Sequence, residues 1–218
     1  MMISTATTTS RLIEALKWRY ATKKFDSTKK IDSVDLAILM EAIQLAATSY
    51  GLQVFKVLNV EDATVREKLR TASWNQSQVV DASHLFVFCA YKTVQEDNID
   101  DYINRKSTVQ SIPMKNLTGY GSFVKQKIAE KSPEEIINWN AKQAYIALGN
   151  LLAVCGELKI DACPMEGFEV DKYDEILGLA DKNLTAAVVC SVGYRSADDF
   201  TQHSPKVRKD LADLFETV

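Results

Sequence analysis

Apolar residues recur every three or four positions in several stretches of the chain, which is the spacing of one face of a helix. The pattern predicts a first helix over residues 10–19 and a second that starts near Ser33, a candidate N-cap. A third is predicted over residues 132–157, because its opening Ser-Pro-Glu-Glu combines an N-cap serine, a first-turn proline and a glutamate at the third position. Residues 171–177 predict a shorter helix, closed by Gly178.

Three nearly continuous apolar runs, at residues 54–60, 84–91 and 186–194, are typical of β-strands. The run at 84–91 has almost no polar position, which predicts a strand buried on both faces. A capping box at Thr64 and Glu67 predicts a short helix between the first two strands. Because the strands do not alternate regularly with helices, the pattern indicates an α+β fold rather than a doubly wound α/β sheet.

Two further stretches are distinguished by their polarity. Residues 144–154 of the long helix are apolar nearly all round, which indicates a helix buried on most sides, either in a core or along the spine of a dimer. Residues 94–131 form the most polar part of the chain and contain two helical patterns separated by Gly119 and Gly121. We expect this region to be a mobile helical lid that faces solvent.

The composition is that of an ordinary globular protein, with 218 residues of which 46% are hydrophobic and 25% charged. This length fits one domain, or at most two small ones, and we expect a single domain over residues 1–218. A net charge of −3 does not suggest a nucleic-acid binder, although it allows a local basic pocket. Residues 1–9 are small and polar, and we expect them to be frayed and to contain no signal peptide. No run approaches the roughly 20 apolar residues of a membrane helix, so no membrane association is expected.

The chemistry-bearing side chains are few. The cysteines lie mostly in apolar runs without a C-x-x-C pair, which predicts buried, reduced thiols in a cytoplasmic protein. With two histidines in the whole chain, no metal site is expected. The common motifs of nucleotide-binding loops, zinc proteases and serine hydrolases are absent. Such a protein either binds a ligand passively or takes its chemistry from a cofactor.

A basic segment follows the first predicted helix directly. Over six residues, from Arg19 to Lys24, it offers one guanidinium and two ammonium groups. Arginine suits a bidentate phosphate contact, and lysine acts as a point charge beside an anionic group. The alternative is a solvated, cationic helix end that complements the helix dipole.

The same segment, RYATKKFD at 19–26, resembles the R-x-S-x-[KR]-x-[FY] opening of the nitroreductase family. Four more resemblances follow in that family's order: AATSYGLQ at 46–53 to its second flavin loop, WNQSQ and DASH within 74–84 to its third segment, CPMEGF at 163–168 to its P-x-E-G-F turn, and PKVR at 205–208 to its P-K-x-R phosphate clamp. Each motif is short, but five in order give the resemblance its specificity. The branch most similar is the oxygen-insensitive, dihydropteridine reductase-like NAD(P)H nitroreductases.

The resemblance implies a homodimer with FMN between its subunits. It also implies a central, mostly antiparallel sheet flanked by helices, with the long helix buried in the dimer. Arg19, Lys206 and Arg208 resemble the residues that hold the FMN phosphate. Lys23 resembles the lysine beside the flavin N1–C2 carbonyl edge, where its charge would stabilise the reduced cofactor.

The flavin ring would be contacted by amide groups. Asn75 and Gln78 match positions at its pyrimidine edge, and the backbone N–H of Glu166 or Gly167 would reach N5. Thr48, Ser49 and Gly51 would come from the second subunit. The full cofactor-binding set implied is Arg19, Tyr20, Ala21, Lys23, Thr48, Ser49, Gly51, Asn75, Gln78, Pro164, Met165, Glu166, Gly167, Lys206 and Arg208. The substrate set implied is Lys23, Tyr50 and Phe123.

The implied function is hydride transfer from NADH or NADPH, through FMN, to a nitroaromatic, a quinone or a related acceptor by a ping-pong mechanism. No side-chain acid or base is expected to be essential. Two alternatives remain open: a non-catalytic flavin-binding module, and different flavin chemistry on the same fold.

The chain departs from the family's pattern at several positions. Ala21 stands where a serine is frequent, Gly51 where many members have asparagine, and Val54 where many have proline. Tyr20 stands where a histidine or an arginine is frequent, and Gln78 stands where some relatives have lysine. We expect these departures to change the substrate pocket more than FMN binding.

Overall fold

A four-stranded sheet forms the centre of the chain in the computed structural model, which describes residues 10–218. The expectation of a frayed end at residues 1–9 lies outside these residues. The strands are β1 (Phe55–Asn59), β2 (His84–Tyr91), β3 (Asp161–Met165) and β4 (Leu184–Gly193). Their order is β1-β2-β4-β3, and every neighbouring pair is antiparallel. The predicted α+β class and antiparallel sheet are therefore confirmed.

The helices pack on both faces of this sheet. They are α1 (Arg11–Trp18), α2 (Ser33–Gln44), α3 (Ala63–Thr71), α4 (Gln78–Asp81), α5 (Glu96–Gln110), α6 (Thr118–Ala129), α7 (Pro133–Leu158), α8 (Val170–Leu177) and α9 (Leu211–Leu214). None of the helices within residues 10–218 combines the length and the apolar character that crossing a membrane would need.

Strand β2 shows why the core has two sides. Leu85 and Val87 point into a cluster shared with α3, α4 and α8, whereas Phe86 and Phe88 point into a cluster shared with α2 and α7. Side chains alternate between the faces of a strand, so a strand covered on both faces must be apolar throughout. The prediction that residues 84–91 are buried on both faces is confirmed, with identical bounds.

Two predicted helix starts are wrong by one or two residues. The N-cap of α2 is Asp32 rather than Ser33, since the Asp32 carboxylate accepts hydrogen bonds from the N–H groups of Val34 and Asp35. The capping box at Thr64 and Glu67 does not form either. Asp62 caps α3 through the Val65 N–H, and Glu67 pairs instead with Arg70 at 2.8 Å. By contrast, the predicted cap at Ser132 forms, with a reciprocal bond to Glu135.

Strand β3 was expected to be a turn. Cys163, Pro164 and Met165 pair with β4, and only the following Glu166 and Gly167 turn away. A proline is tolerated because β3 lies at the edge of the sheet, where a missing N–H interrupts no second ladder.

The region 94–131 is helical, as predicted, but its two helices are not separated at Gly119 and Gly121. Gly119 and Gly121 lie inside α6, and the chain turns at residues 111–117 after Ser111 ends α5 in a left-handed conformation. Gly121 is buried against Ile103 of α5, where an added Cβ would lie 3.3 Å from Cγ1. Its small size therefore serves helix packing rather than termination.

Helix α7 is buried on one side and open on the other within the single chain. Ala144, Ala147 and Leu151 are fully buried against the sheet, whereas Tyr145 and Ile146 are 39% and 45% exposed. The expected burial on most sides is thus not completed by one copy of the chain.

Candidate functional site

Four cations from distant parts of the chain lie near one another. Arg19 ends α1, Arg195 follows β4, and Lys206 and Arg208 lie in the tail beyond it. Partial burial, followed by the neighbouring charges of Arg19, Arg208 and Arg195, lowers the pKa of Lys206. Like charges held together in this way favour the binding of an anion.

The Arg19 side chain has a buried nitrogen that points to a bound anion. Its Nε is buried and has no hydrogen-bond partner among residues 10–218. Buried polar groups are almost always paired, so an unpaired guanidinium nitrogen within a cationic cluster fits a phosphate ligand. The residues predicted to hold the phosphate are thus brought together, although they lie almost 190 positions apart.

Lys23 and Gln78 both act on Cys163 of β3. Burial raises the pKa of the Cys163 thiol, while the nearby Lys23 ammonium and a hydrogen bond with the Gln78 side chain oppose that rise. Gln78 is buried as the first residue of α4, and Lys23 is exposed. Lys23, Gln78 and Arg19 therefore all lie near Cys163 of β3, since Arg19 also acts on its thiol.

Asn75 lies in a tight turn beside Gly167. Trp74 and Asn75 both have left-handed backbone angles, with φ of 54° and 58°. The Gln76 side-chain amide donates to the Gly167 carbonyl at 2.8 Å. An added Cβ at Gly167 would lie 2.9 Å from the Trp74 ring, so this close approach requires glycine. The third and fourth predicted motifs are therefore in direct contact.

The carboxylate of Glu166 faces α7. Its Oε1 accepts a 2.7 Å hydrogen bond from the Tyr145 hydroxyl, and burial, followed by this bond, raises the pKa of Tyr145 to about 12. The Gly167 N–H has no hydrogen-bond partner in the part of the chain that the structure describes. Tyr145 and Glu166 border a cleft of about 500 Å³ between α7 and β3, whose lining includes Pro164 and Met165.

The segment at 48–51 belongs to a different surface. The Ser49 N–H donates to the Gln143 Oε1 at 2.8 Å, which fixes the segment to α7. Gly51 has a φ of 78°, and an added Cβ would lie 2.9 Å from the Tyr102 ring of α5. Within residues 10–218, no hydrogen bond joins Thr48, Ser49 or Gly51 to the cationic cluster.

Tyr50 and Phe123, predicted to face the substrate, are neighbours. Their ring centroids lie 6.4 Å apart in an edge-to-face arrangement, and Tyr50 lies 6.2 Å from Trp139 of α7. Edge-to-face pairs of this kind are favourable, and the half-exposed Phe123 leaves an aromatic surface open.

Two buried carboxylates were missed from the sequence. Asp199, 1% exposed, accepts hydrogen bonds from the backbone N–H groups of Lys23 and Lys24 and from the Tyr20 hydroxyl. Asp161 pairs with Arg195. Asp199 lies in a short polar stretch that looks solvated, and Asp161 is a single carboxylate between the apolar Ile160 and Ala162, so no periodic signal marks either residue.

The Arg195 guanidinium also supports the residues on either side of Arg19. It lies 4.3 Å from the centroid of the Trp18 ring and 4.5 Å from that of Tyr20. Burial, followed by the hydrogen bond to Asp199, raises the pKa of Tyr20 to about 12. Ala21, the residue after Tyr20, forms a parallel bridge to Ala162 of β3.

Comparison with known proteins gives the same assignment as the site. The sequence model of the Nitroreductase family matches residues 16–194. A Bacillus subtilis protein provisionally named NAD(P)H nitroreductase YfkO is 33% identical, over 96% of this chain and 98% of its own. The chain therefore belongs to the nitroreductase family.

Solved structures share the fold. A nitroreductase assigned provisionally from Bacillus subtilis, ydfN, gives a TM-score of 0.85 at 19% identity, covering 94% of this chain and 98% of its own. A second, from Exiguobacterium sibiricum and solved in complex with FMN, gives 0.80 at 18% identity, covering 98% and 100%. The predicted nitroreductase-like fold is thereby confirmed.

Proposed function

We propose that the chain is an NAD(P)H-dependent FMN oxidoreductase that works as a homodimer. The observation that carries this proposal is the cluster of Arg19, Lys206 and Arg208, in which the buried Arg19 Nε has no hydrogen-bond partner among the described residues 10–218. When bound, FMN supplies the redox chemistry, taking hydride from NADH or NADPH and passing electrons to an acceptor. The free, buried thiols of all four cysteines fit a cytoplasmic enzyme.

The residues of this chain would bind and orient the cofactor. The cationic cluster would hold the phosphate, with Tyr20 and Ala21 beside it. Lys23 would stabilise negative charge at the N1–C2 carbonyl edge, and Asn75 and Gln78 would pair with the pyrimidine edge. The N–H of Gly167, next to Glu166, would donate to N5; it has no partner in the part of the chain that the structure describes. Pro164 and Met165 would line the site from β3.

A second copy of the chain would complete the site. Its Thr48, Ser49 and Gly51 would contact the ring and the ribityl chain. The support is the uncovered apolar surface: Tyr145 and Ile146 on α7, and Leu211 and Phe215 in the tail, are exposed in one chain. Obligate dimer interfaces are large and apolar. Light scattering should give a dimer at micromolar concentration, and a stable FMN-bound monomer would contradict this part of the proposal.

The helices α5 and α6 would form the lid that selects the acceptor. Tyr50 and Phe123 would offer it a flat aromatic surface, with Lys23 opposite, which suits nitroaromatics and quinones. NAD(P)H and the acceptor would occupy this pocket in turn, so that initial-rate plots give parallel lines. Neither His84 nor His203 lies among these residues, which fits chemistry without a side-chain acid or base.

Absorbance spectroscopy tests the proposal. Protein loaded with FMN should be yellow, should bleach on anaerobic addition of NADH or NADPH, and should recover its colour when a nitroaromatic or a quinone is added. A protein that cannot be loaded with FMN would exclude the proposal. Loading without bleaching would favour the non-catalytic flavin-binding module, and bleaching without recovery on any such acceptor would favour different flavin chemistry.

A further inference from the structure

Asp199 accepts three hydrogen bonds from the basic segment at 19–24. Its Oδ2 accepts hydrogen bonds from the Lys23 N–H at 2.8 Å, the Lys24 N–H at 3.1 Å and the Tyr20 hydroxyl at 3.0 Å. Its Oδ1 accepts from the N–H and the hydroxyl of Thr201. Burial alone would raise the pKa of this carboxyl, but these bonds, led by Thr201, lower it.

The backbone of the basic segment has few other anchors. Residues 19–24 lie outside the helices and strands, and the Thr22 N–H donates to the Ala162 carbonyl beside the bridge of Ala21. The Ser196 N–H donates to the Lys24 carbonyl at 2.9 Å, and the Arg19 N–H closes the end of α1. Two adjacent N–H groups converging on one carboxylate oxygen define the local backbone, because charge-assisted bonds are short and directional. At Lys23 itself the backbone N–H bonds to Asp199, so Asp199 helps to set the direction in which the Lys23 side chain leaves the backbone.

The neighbouring Asp198 provides a built-in contrast. Its carboxylate is exposed and pairs only with the Lys24 ammonium, at 3.0 Å. It is attached to the same loop and carries the same charge, but it touches no backbone N–H of the basic segment. If removing the Asp199 charge acts only through the net charge of the loop, removing the Asp198 charge should therefore have the same effect.

We propose that Asp199 is a positioning residue, which holds the backbone of Lys23 so that its ammonium faces the flavin beside Gln78. This inference rests on the proposed function, since it assigns Asp199 a role through Lys23. A negative charge near the flavin would by itself lower the reduction potential, so deleting it should raise the potential. Loss of the Lys23 position should lower the reduction potential instead. The sign of the change therefore separates a direct effect of the Asp199 charge from an effect through Lys23.

The first measurement needs no cofactor. Amide hydrogen exchange in the FMN-free protein should show the N–H groups of Lys23 and Lys24 exchanging at least tenfold faster in Asp199→Asn than in the wild type. Asp198→Asn is the matched control and should leave these rates unchanged. Unchanged exchange in Asp199→Asn would overturn the inference.

The second measurement is the flavin reduction potential in a double-mutant cycle. Asp199→Asn should lower the potential in the wild type, but should leave it unchanged or raise it in a Lys23→Ala background. A rise in the wild type, or the same fall in both backgrounds, would overturn the inference. If Asp199→Asn does not fold, Tyr20→Phe with Thr201→Val supplies the weaker perturbation in the same cycle. Failure of the wild type to bind FMN would instead refute the proposed function, leaving the exchange measurement to decide on Asp199.

Discussion

The basic segment at 19–24 and the helices α5 and α6 are held in place by different physics. The basic segment is fixed by two buried carboxylates. Asp199 accepts a hydrogen bond from the Lys23 N–H, and Asp161 accepts hydrogen bonds from the Thr22 hydroxyl and from the Arg195 guanidinium. The helices α5 and α6 have an apolar cluster of their own, which includes Ile99, while their ion pairs are exposed. Buried, directional bonds specify one geometry, as a cofactor site needs. Apolar packing with an exposed rim allows the shape to vary, as the proposed lid would need in order to select acceptors.

Among the substitutions of charged residues, Asp161→Ala should have the largest effect on stability. It would leave the guanidinium of Arg195 without its carboxylate, and removing one partner of a buried pair costs about 3–5 kcal/mol. The Asp161 side chain is 4% exposed, although that of Arg195 is 21% exposed, so we expect the lower end of this range. Chemical denaturation measures the change. Glu67→Ala, which removes an exposed partner of Arg70, is the control and should change little.

Lys23→Ala should slow flavin reduction by NAD(P)H up to about a hundredfold, since it removes a preorganised charge from the site. Its exposure should reduce that figure, and the acceptor half-reaction should slow less. Glu166→Gln should be mild because its proposed contact is through the backbone. Stopped-flow absorbance separates the two variants, and an inactive Glu166→Gln beside a near-normal Lys23→Ala would assign the chemistry to the carboxylate.

Arg208→Ala should weaken FMN binding by about 1.5–3 kcal/mol, the value of one hydrogen bond to a charged group. The variant should lose its flavin on dialysis and regain most of its kcat with excess FMN. Arg19→Ala should behave in the same way. A variant that keeps FMN and loses turnover would show that the phosphate binds elsewhere.

Local sequence patterns were enough to predict an element whose own residues determine its structure. The all-apolar β2 and the capped start of α7 at Ser132 needed no knowledge of neighbours. Strand β3 could not be predicted in the same way, because Pro164 disfavours a strand unless the strand lies at an edge, and edge position is a property of the whole sheet. Asp32 and Ser33 are both good caps, so the pattern alone could not choose between them.

The motifs, identified through the family resemblance, supplied the candidate cofactor residues, but not the residues that support them. Asp161 and Arg195 meet because Asp161 at the start of β3 pairs with Gly193 at the end of β4. Their spacing of 34 positions has no meaning without that register. Supporting carboxylates of this kind become visible only when the strands are paired.

Gly51→Ala should destabilise the contact between the 48–51 segment and the lid. The residue has a φ of 78°, and its Cβ would lie 2.9 Å from the Tyr102 ring, so we expect a loss of about 1–2 kcal/mol. Gly119→Ala is the matched control, since nothing lies within 4 Å of its Cβ inside α6. That change should stabilise the chain by about 0.5–1 kcal/mol, and thermal unfolding of both variants checks the opposite signs.

Lys125→Ala should have the smallest effect. Its ammonium contacts Glu96 and Asp100 of α5 at 2.9 and 2.8 Å, and these bonds raise its pKa. Exposed pairs are screened by salt and offset by side-chain ordering, so the melting temperature should stay within error at physiological salt. Ile99→Ala, in the apolar cluster of the same two helices, should instead lose about 2–5 kcal/mol. A larger loss for Lys125→Ala than for Ile99→Ala would show that charge also holds the lid, and the contrast with the basic segment would fail.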